Sequence, residues 1–269
     1  MASNNEAYFS HSIQGVPNLA GEVDVYAMNK SPKFPLGYKI ERVDGHVYRY
    51  SHFGADTNRG VLCAQDFSEV SRSDSDNNIV ASASALVTSD GTLGSKYIEI
   101  TGGQTVQKDQ FAGGNFITSD DTGEGFTYPI KGNTASGYNG ALTFRLELAY
   151  PLIAAVDNTT DNIIIANRFH NLEVASAATD NFLAGVTTNT MDVSEASYGW
   201  VQTKGVVGIL TETNFAVAAG DVVVLSSYVN GSVGSLNDLT GEARDEQIIG
   251  TCIDPGDTTG HGAYYINLE

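Results

Sequence analysis

From residue 174 to residue 269 a turn signal interrupts the chain about every 8–12 residues, and the runs between are rich in β-branched and aromatic side chains. The joints are Lys204-Gly205, Ala219-Gly220, Asn230-Gly231 and Asp254-Pro255-Gly256-Asp257. Strands are expected at 182–188, 198–203, 206–211, 221–228, 247–253 and 262–268. That spacing belongs to a small β barrel or sandwich. No heptad, long amphipathic helix or fixed-period repeat accompanies it.

The rest of the chain reads in the same vocabulary. Tyr38, Ile40 and Val43 lead into Asp44-Gly45, and Val47, Tyr48 and Tyr50 follow. Asp-Gly between such runs predicts a hairpin with a two-residue turn, whose central residues both take positive φ. Residues 59–72 are expected to form a short helix or an irregular crossing, and 72–78 a polar loop. An apolar stretch at 79–88, a turn at Asp90-Gly91 and a strand at 96–101 come next. Glycines crowd residues 102–140, so strands there must be short. Leu142, Phe144, Leu146 and Leu148 alternate with other residues as a half-buried strand, ended by Tyr150-Pro151 because proline lacks the amide donor. Residues 157–162 form a polar loop, and Ile163-Ile164-Ile165 reads as a buried strand.

Residues 1–35 keep no period but carry isolated aromatics at Tyr8, Phe9, Tyr26 and Phe34. A solvated tail rarely holds so many. Two readings stand: an extended arm ordered by lying on a partner, or an irregular arm packed on its own domain. The expected class is therefore all-β, an extended N-terminal arm plus β-sandwich or barrel modules. The expected division is an arm at 1–35, a Gly-rich β region at 36–173 and a small β-barrel or sandwich module at 174–269.

Charge excludes one class of partner. The net charge is −18, with 14 Lys and Arg against 32 Asp and Glu. Binding nucleic acid requires clustered cations that displace phosphate counterions, so none is expected. The acidity is uneven. Residues 1–60 hold six cations (Lys30, Lys33, Lys39, Arg42, Arg49, Arg59) and six acids, whereas 169–269 hold Lys204 and Arg244 against thirteen acids. The near-neutral N-terminal end thus meets an acidic surface with the least repulsion. No apolar run reaches the roughly 18 residues of a membrane span, and no membrane partner is expected. The start, Met-Ala-Ser-Asn-Asn-Glu, has neither the basic nor the apolar region of a secretory leader. Synthesis in the cytoplasm, without secretion, is the expectation.

Motifs for chemistry are missing. The chain contains no Gly-x-x-x-x-Gly-Lys, His-Glu-x-x-His, Gly-x-Ser-x-Gly or Cys-x-x-Cys. The five histidines, at 11, 46, 52, 170 and 261, are scattered; His46 and His52 flank a strand without a clear third ligand. Two acidic loops, Asp74–Asn78 and Asp120–Glu124, carry oxygen ligands of the kind calcium takes, but Ile79 stands where an EF-hand turn needs glycine. They read as solvated loops. Cys63 and Cys252, beside apolar neighbours, read as buried free thiols. No catalytic residue, metal or cofactor is expected.

The informative segment is 197–235. It runs Ser-Tyr-Gly-Trp-Val-Gln-Thr-Lys-Gly from Ser197, then Val-Ala-Ala-Gly-Asp-Val-Val-Val-Leu from Val217, then Asn-Gly-Ser-Val-Gly from Asn230. Trp200, the single tryptophan, alternates with Tyr198 and Gln202 and should anchor a core. With the later Ile248-Ile249-Gly250-Thr251 and the upstream stretch 128–135, the pattern resembles a group of tailed-bacteriophage virion proteins, especially from marine phages. The resemblance covers roughly 95–269. It implies a capsid-associated structural role, that of a decoration or cement protein, and no enzymatic activity. The expected partners are the major capsid protein and further copies of the chain, with a trimer the expected homo-oligomer because the short Gly-rich strands look unable to close a core alone. The expected place is the capsid exterior. Contact with the capsid is expected at Tyr8, Phe9, Tyr26, Lys30, Lys33 and Phe34. The alternatives are a head or tail fibre or receptor-binding component and, more distantly, a carbohydrate-active enzyme with paired carboxylates.

Overall fold

A computed structural model describes residues 11–12, 23–65, 70–72, 86–89, 91–101, 105–176, 182–212, 216–237, 247–257 and 260–269. The chain is all-β, its curled sheets forming a half-barrel and a second sheet. No helix among the described residues is long and apolar enough to cross a membrane. Two compact units divide the chain: 1–66 with 171–269, and 67–170.

In chain order the first unit opens with β1 (His11–Ser12), β2 (Lys39–Arg42), β3 (Val47–His52) and β4 (Leu62–Gln65). The second unit contains β5 (Val70–Arg72), β6 (Leu86–Ser89), β7 (Tyr97–Thr101), β8 (Asn115–Asp120), β9 (Thr127–Asn133), β10 (Thr143–Leu148) and β11 (Asp161–Ile165). The first unit then resumes with β12 (Leu172–Val174), β13 (Leu183–Thr187), β14 (Tyr198–Leu210), β15 (Val222–Leu225), β16 (Val233–Ser235), β17 (Ile248–Asp254) and β18 (His261–Asn267). The three-part sequential division differs from this arrangement. Residues 36–65 pair with the C-terminal strands, while 67–170 stand as a unit. The chain leaves the first unit after β4 and returns on β12, and Gln65 and Leu172 are register partners. An insertion whose ends meet in one ladder costs its host little.

The first unit's sheet runs β1-β2-β3-β14-β18-β17-β15-β16, with β4, β12 and β13 attached beside it. Its organising strand is β14, thirteen residues long. Two strands joined at Lys204-Gly205 are expected from the sequence; instead one strand runs through. Gly205 takes φ +101°, and the register with β3 shifts between Gln202 and Lys204. Glycine there makes a bulge, which bends a strand without ending it. Up to Lys204 the strand pairs with β3, and from Lys204 onward with β18.

The β2–β3 hairpin also differs in detail. Gly45 N–H donates to Arg42 O, and Arg42 N–H donates to His46 O, both at 2.9 Å. This closes a three-residue loop, 43–45, in which Gly45 alone takes positive φ. The longer loop needs one left-handed residue rather than two, and Asp44 is freed to accept from His46 N–H at 3.1 Å. At 62–65, where a helix or irregular crossing is expected, the chain forms the fully buried strand β4.

Trp200 anchors a core, as its alternation predicts. It is 2% exposed and lies 5.1 Å from the Tyr50 ring and 5.4 Å from the Phe34 ring. Val25, Ile40 and Tyr48 complete this cluster. Residues 23–36 therefore pack, at least in part, on their own unit: Val25 is fully buried, and Asn29 exchanges backbone hydrogen bonds with Tyr198 at 2.8 and 3.0 Å. A second cluster joins Leu62, Val186, Ile209, Val223, Ile249, Tyr264 and Ile266 between β4, β13, β14, β15, β17 and β18.

The second unit's sheet runs β5-β11-β8-β9-β10-β7-β6. Phe144, Leu146 and Leu148 point inward from β10 as predicted, joined by Ile98, Ile100, Phe111, Phe116, Ile130 and Ile164. The Gly-rich middle thus closes a core of its own, so the shortness of its strands does not by itself call for a trimer. Ile164 is buried, whereas Ile163 and Ile165 are only half-buried, so β11 has one inward face.

Replacing Trp200 with Ala should destabilise the first unit by about 3–5 kcal/mol, the cost of a large aromatic cavity; denaturant unfolding followed by circular dichroism measures it. A second test uses pH. Burial works against the Glu269 carboxylate, but hydrogen bonds from Arg49 and Thr203 and the charges of Arg49 and Lys39 outweigh it and hold its pKa below the usual range. Arg49 grips both of its oxygens, at 3.1 and 2.6 Å. A depressed folded-state pKa contributes stability above the ordinary glutamate value of about 4.3, and that stability is lost as pH falls through the lower folded value. Glu269→Gln should cost about 1 kcal/mol near neutrality, a figure discounted for solvent screening, and the gap from wild type should close on acidification.

Candidate functional site

A cleft of about 480 Å³ opens in the first unit beside the second half of β14. Beyond Lys204 this edge of β14 has no β3 partner. The hairpin loop brings Arg42, Asp44 and His46 to one wall, β3 supplies Tyr48, the approach to β4 supplies Arg59, and β18 supplies His261 at its first residue.

Close packing holds the two imidazoles. A Cβ on Gly205 would stand 2.8 Å from His46 Cδ2, and one on Gly60 2.6 Å from His261 Cδ2. Each ring occupies space that any other residue would fill. His46 Nε2 faces the Val206 carbonyl at 3.0 Å, and Nδ1 lies 2.8 Å from Asp44 Oδ1. The latter is ion-pair distance without hydrogen-bond alignment, since Nδ1 makes no hydrogen bond. Both ring nitrogens thus face oxygens. Burial works against the Asp44 charge, but the His46 amide and ring, together with the Arg42 charge, hold its carboxyl below the usual range. His261 Nε2 faces the Arg59 carbonyl at 3.3 Å.

Arg42 stacks over Tyr48, its guanidinium carbon 5.1 Å from the ring centroid. Its Nε is buried and has no hydrogen-bond partner. Among the described residues neither Arg42 nor Arg59 has a carboxylate within ion-pair distance, whereas Arg49 grips Glu269 and Lys131 grips Glu147. Gln202 donates to the carbonyls of Lys204 and Val206 at 3.1 and 3.0 Å, which fixes its amide at the cleft wall.

Sequence reasoning did not find this cleft. Arg42, Arg59, His46 and His261 are far apart in the chain and share no motif. Of the expected capsid contacts, Tyr8 and Phe9 lie outside the described residues. Lys30 and Lys33 are exposed. Tyr26 is 58% exposed and lines the cleft. Phe34 stacks on Tyr38 at 5.1 Å and joins the Trp200 cluster, so it serves its own core. The loop 74–78 lies outside the described residues, and the carboxylates of 120–124 are exposed. Among the described residues no three His, Cys, Asp or Glu side chains gather as a metal cage. Elsewhere, Glu212 is buried with one oxygen accepting from the Ser226 hydroxyl and the other unpartnered.

No family model, curated protein or solved structure matches the chain at a significant level.

Both cysteines are free and buried. Burial pushes the Cys63 thiol far above its usual value, with the Glu173 charge adding to it; burial also raises Cys252, helped by Asp221 and Asp254. A thiol reacts as thiolate. Neither should react with an aromatic disulfide reagent near neutral pH until the protein unfolds, and both should then react fully; colour release with and without denaturant reads this directly.

Proposed function

We propose that the chain is a structural protein of a tailed-phage particle, which binds the outside of the capsid and stabilises the shell without enzymatic action. The observation that carries this reading is an apolar row on a solvent-facing sheet surface. Val206, Tyr265, Thr251 and Val222 are register partners across β14, β18, β17 and β15. Val206, Tyr265 and Val222 are 47%, 46% and 38% exposed. Large side chains aligned on a water-facing sheet suit association with another protein surface.

The resemblance to virion proteins supports the choice of partner. Of the residues behind it, Trp200–Gly205, Gly220–Leu225 and Ile248–Thr251 fall on β14, the turn into β15 with that strand, and β17 of one sheet, while 128–135 begins on β9 of the second unit. The shared pattern therefore describes a scaffold. The major capsid protein is the proposed partner, with the sheet row and the exposed Tyr26, Lys30 and Lys33 as contacts. Attachment is additive: each seam contributes modest contacts, and a homo-oligomer, a trimer at three-fold sites, multiplies them by effective concentration. The second reading, a fibre or receptor-binding component, is favoured by the cleft.

Mass spectrometry and immunogold labelling of gradient-purified particles test the reading. The chain should be present and should label heads. Labelling confined to tails favours the second reading, and absence from particles overturns both. Tyr265→Lys should reduce head occupancy at least about tenfold, roughly 1.4 kcal/mol, while leaving the purified chain folded. Sedimentation should show a trimer in solution or on particles; a monomer in both removes the oligomer from the proposal.

A further inference from the structure

Of the 14 Lys and Arg in this chain, set among 32 acids, two arginines line a single cleft with no carboxylate among the described residues at ion-pair distance. Arg59 is exposed along the rim. Arg42 is half-buried, with its guanidinium over the Tyr48 ring at the cleft wall. A planar oxyanion is the acceptor that a guanidinium fork fits.

The acid in the cleft does not supply that acceptor. Asp44 lies against His46 Nδ1 at 2.8 Å and accepts the His46 amide. The opposite ring nitrogen is held by the Val206 carbonyl. Asp44 is thus engaged by His46 and, among the described residues, makes no ion pair with Arg42 or Arg59. Asp44 is the one Asp or Glu among the described residues that line the cleft.

The cleft is also larger than an inorganic anion requires. At about 480 Å³ it lies within the roughly 300–1,000 Å³ of small-molecule sites. Tyr48 has Arg42 over its ring, whereas Tyr26 is 58% exposed and offers a free aromatic wall to a ring-shaped body. Gln202 uses its amide nitrogen on two backbone carbonyls, which leaves its oxygen as an acceptor for a hydroxyl.

We propose that this cleft binds an acidic sugar unit, a carboxylate or phosphate carried on a hydroxylated ring, with the anion on Arg42 and Arg59 and the ring against Tyr26. The inference stands on the cleft alone and does not depend on a virion role.

Calorimetric titration of the full chain with glucuronate, glucose 6-phosphate, glucose and inorganic phosphate tests it. One or both acidic sugars should bind, at least about tenfold more tightly than glucose and than inorganic phosphate, roughly 1.4 kcal/mol in each comparison. Added salt should weaken binding. Arg42→Gln and Arg59→Gln should each weaken it at least about tenfold. Arg145→Gln, in the second unit where Arg145 lies 4.7 Å from both the Tyr97 and Tyr138 rings, should leave it unchanged. Arg59 is exposed, so its variant tests the site even if the Arg42 variant misfolds. Failure of both acidic sugars to bind at about 10 mM, equal binding of glucose, equal binding of inorganic phosphate, or unchanged affinity in Arg59→Gln would each overturn the proposal.

Discussion

The first unit depends on β14, which must satisfy different neighbours along its thirteen residues. Its first half pairs with β3 on one side and with β13 at Val201 and Gln202, and its second half pairs with β18. A regular strand keeps its partners in constant register. The Gly205 bulge breaks that constancy and lets the strand turn from one set of partners to the next. Trp200 lies on the first half and Ile209 on the second, so the same strand contributes to both cores of the unit.

The bulge also accounts for the cleft. Where β3 gives out, this edge of β14 has no strand beside it among the described residues, and unpaired edges need some other cover. Here His46 and Gln202 both approach the Val206 carbonyl, and the Gly60 carbonyl accepts from Leu210 N–H at 2.8 Å. Because these side chains are polar and Arg42 stands next to them, the gap is a charged cleft rather than a filled core. Its two guanidiniums, which meet no carboxylate among the described residues, contrast with the Arg49–Glu269 pair, which ties β3 to the residue 269 carboxylate.

The opposite face of the same strands is plain sheet. Val206 contributes its carbonyl to the cleft and its side chain to the apolar row with Tyr265 and Val222. Alternation along a strand sends neighbouring groups in different directions, so one short stretch of β14 borders both a polar cleft and an exposed apolar row. Substitutions at Val206 would disturb the two together, which is why Tyr265 and Arg59 are the cleaner probes.

The sequence by itself determined the all-β class, most C-terminal strands to within a residue or two, the inward Trp200, the inward face of β10 and the two buried thiols. These follow from period-two alternation, turn residues and burial preference, all local properties. Only the tertiary structure decided the rest. The hairpin loop length and the continuity of β14 through Gly205 depend on which backbone groups find partners, and glycine permits a turn or a bulge alike. The pairing of 36–65 with the C-terminal strands, around an inserted unit, is a long-range contact that local pattern does not encode. So is the partial burial of Phe34, whose ring packs near Tyr38, Tyr50 and Trp200. The cleft was beyond reach for the same reason: Arg42, Arg59, Gln202 and His261 are separated by up to 219 positions, and only the folding of β14 between the hairpin and β18 brings their charges and hydrogen-bonding groups together.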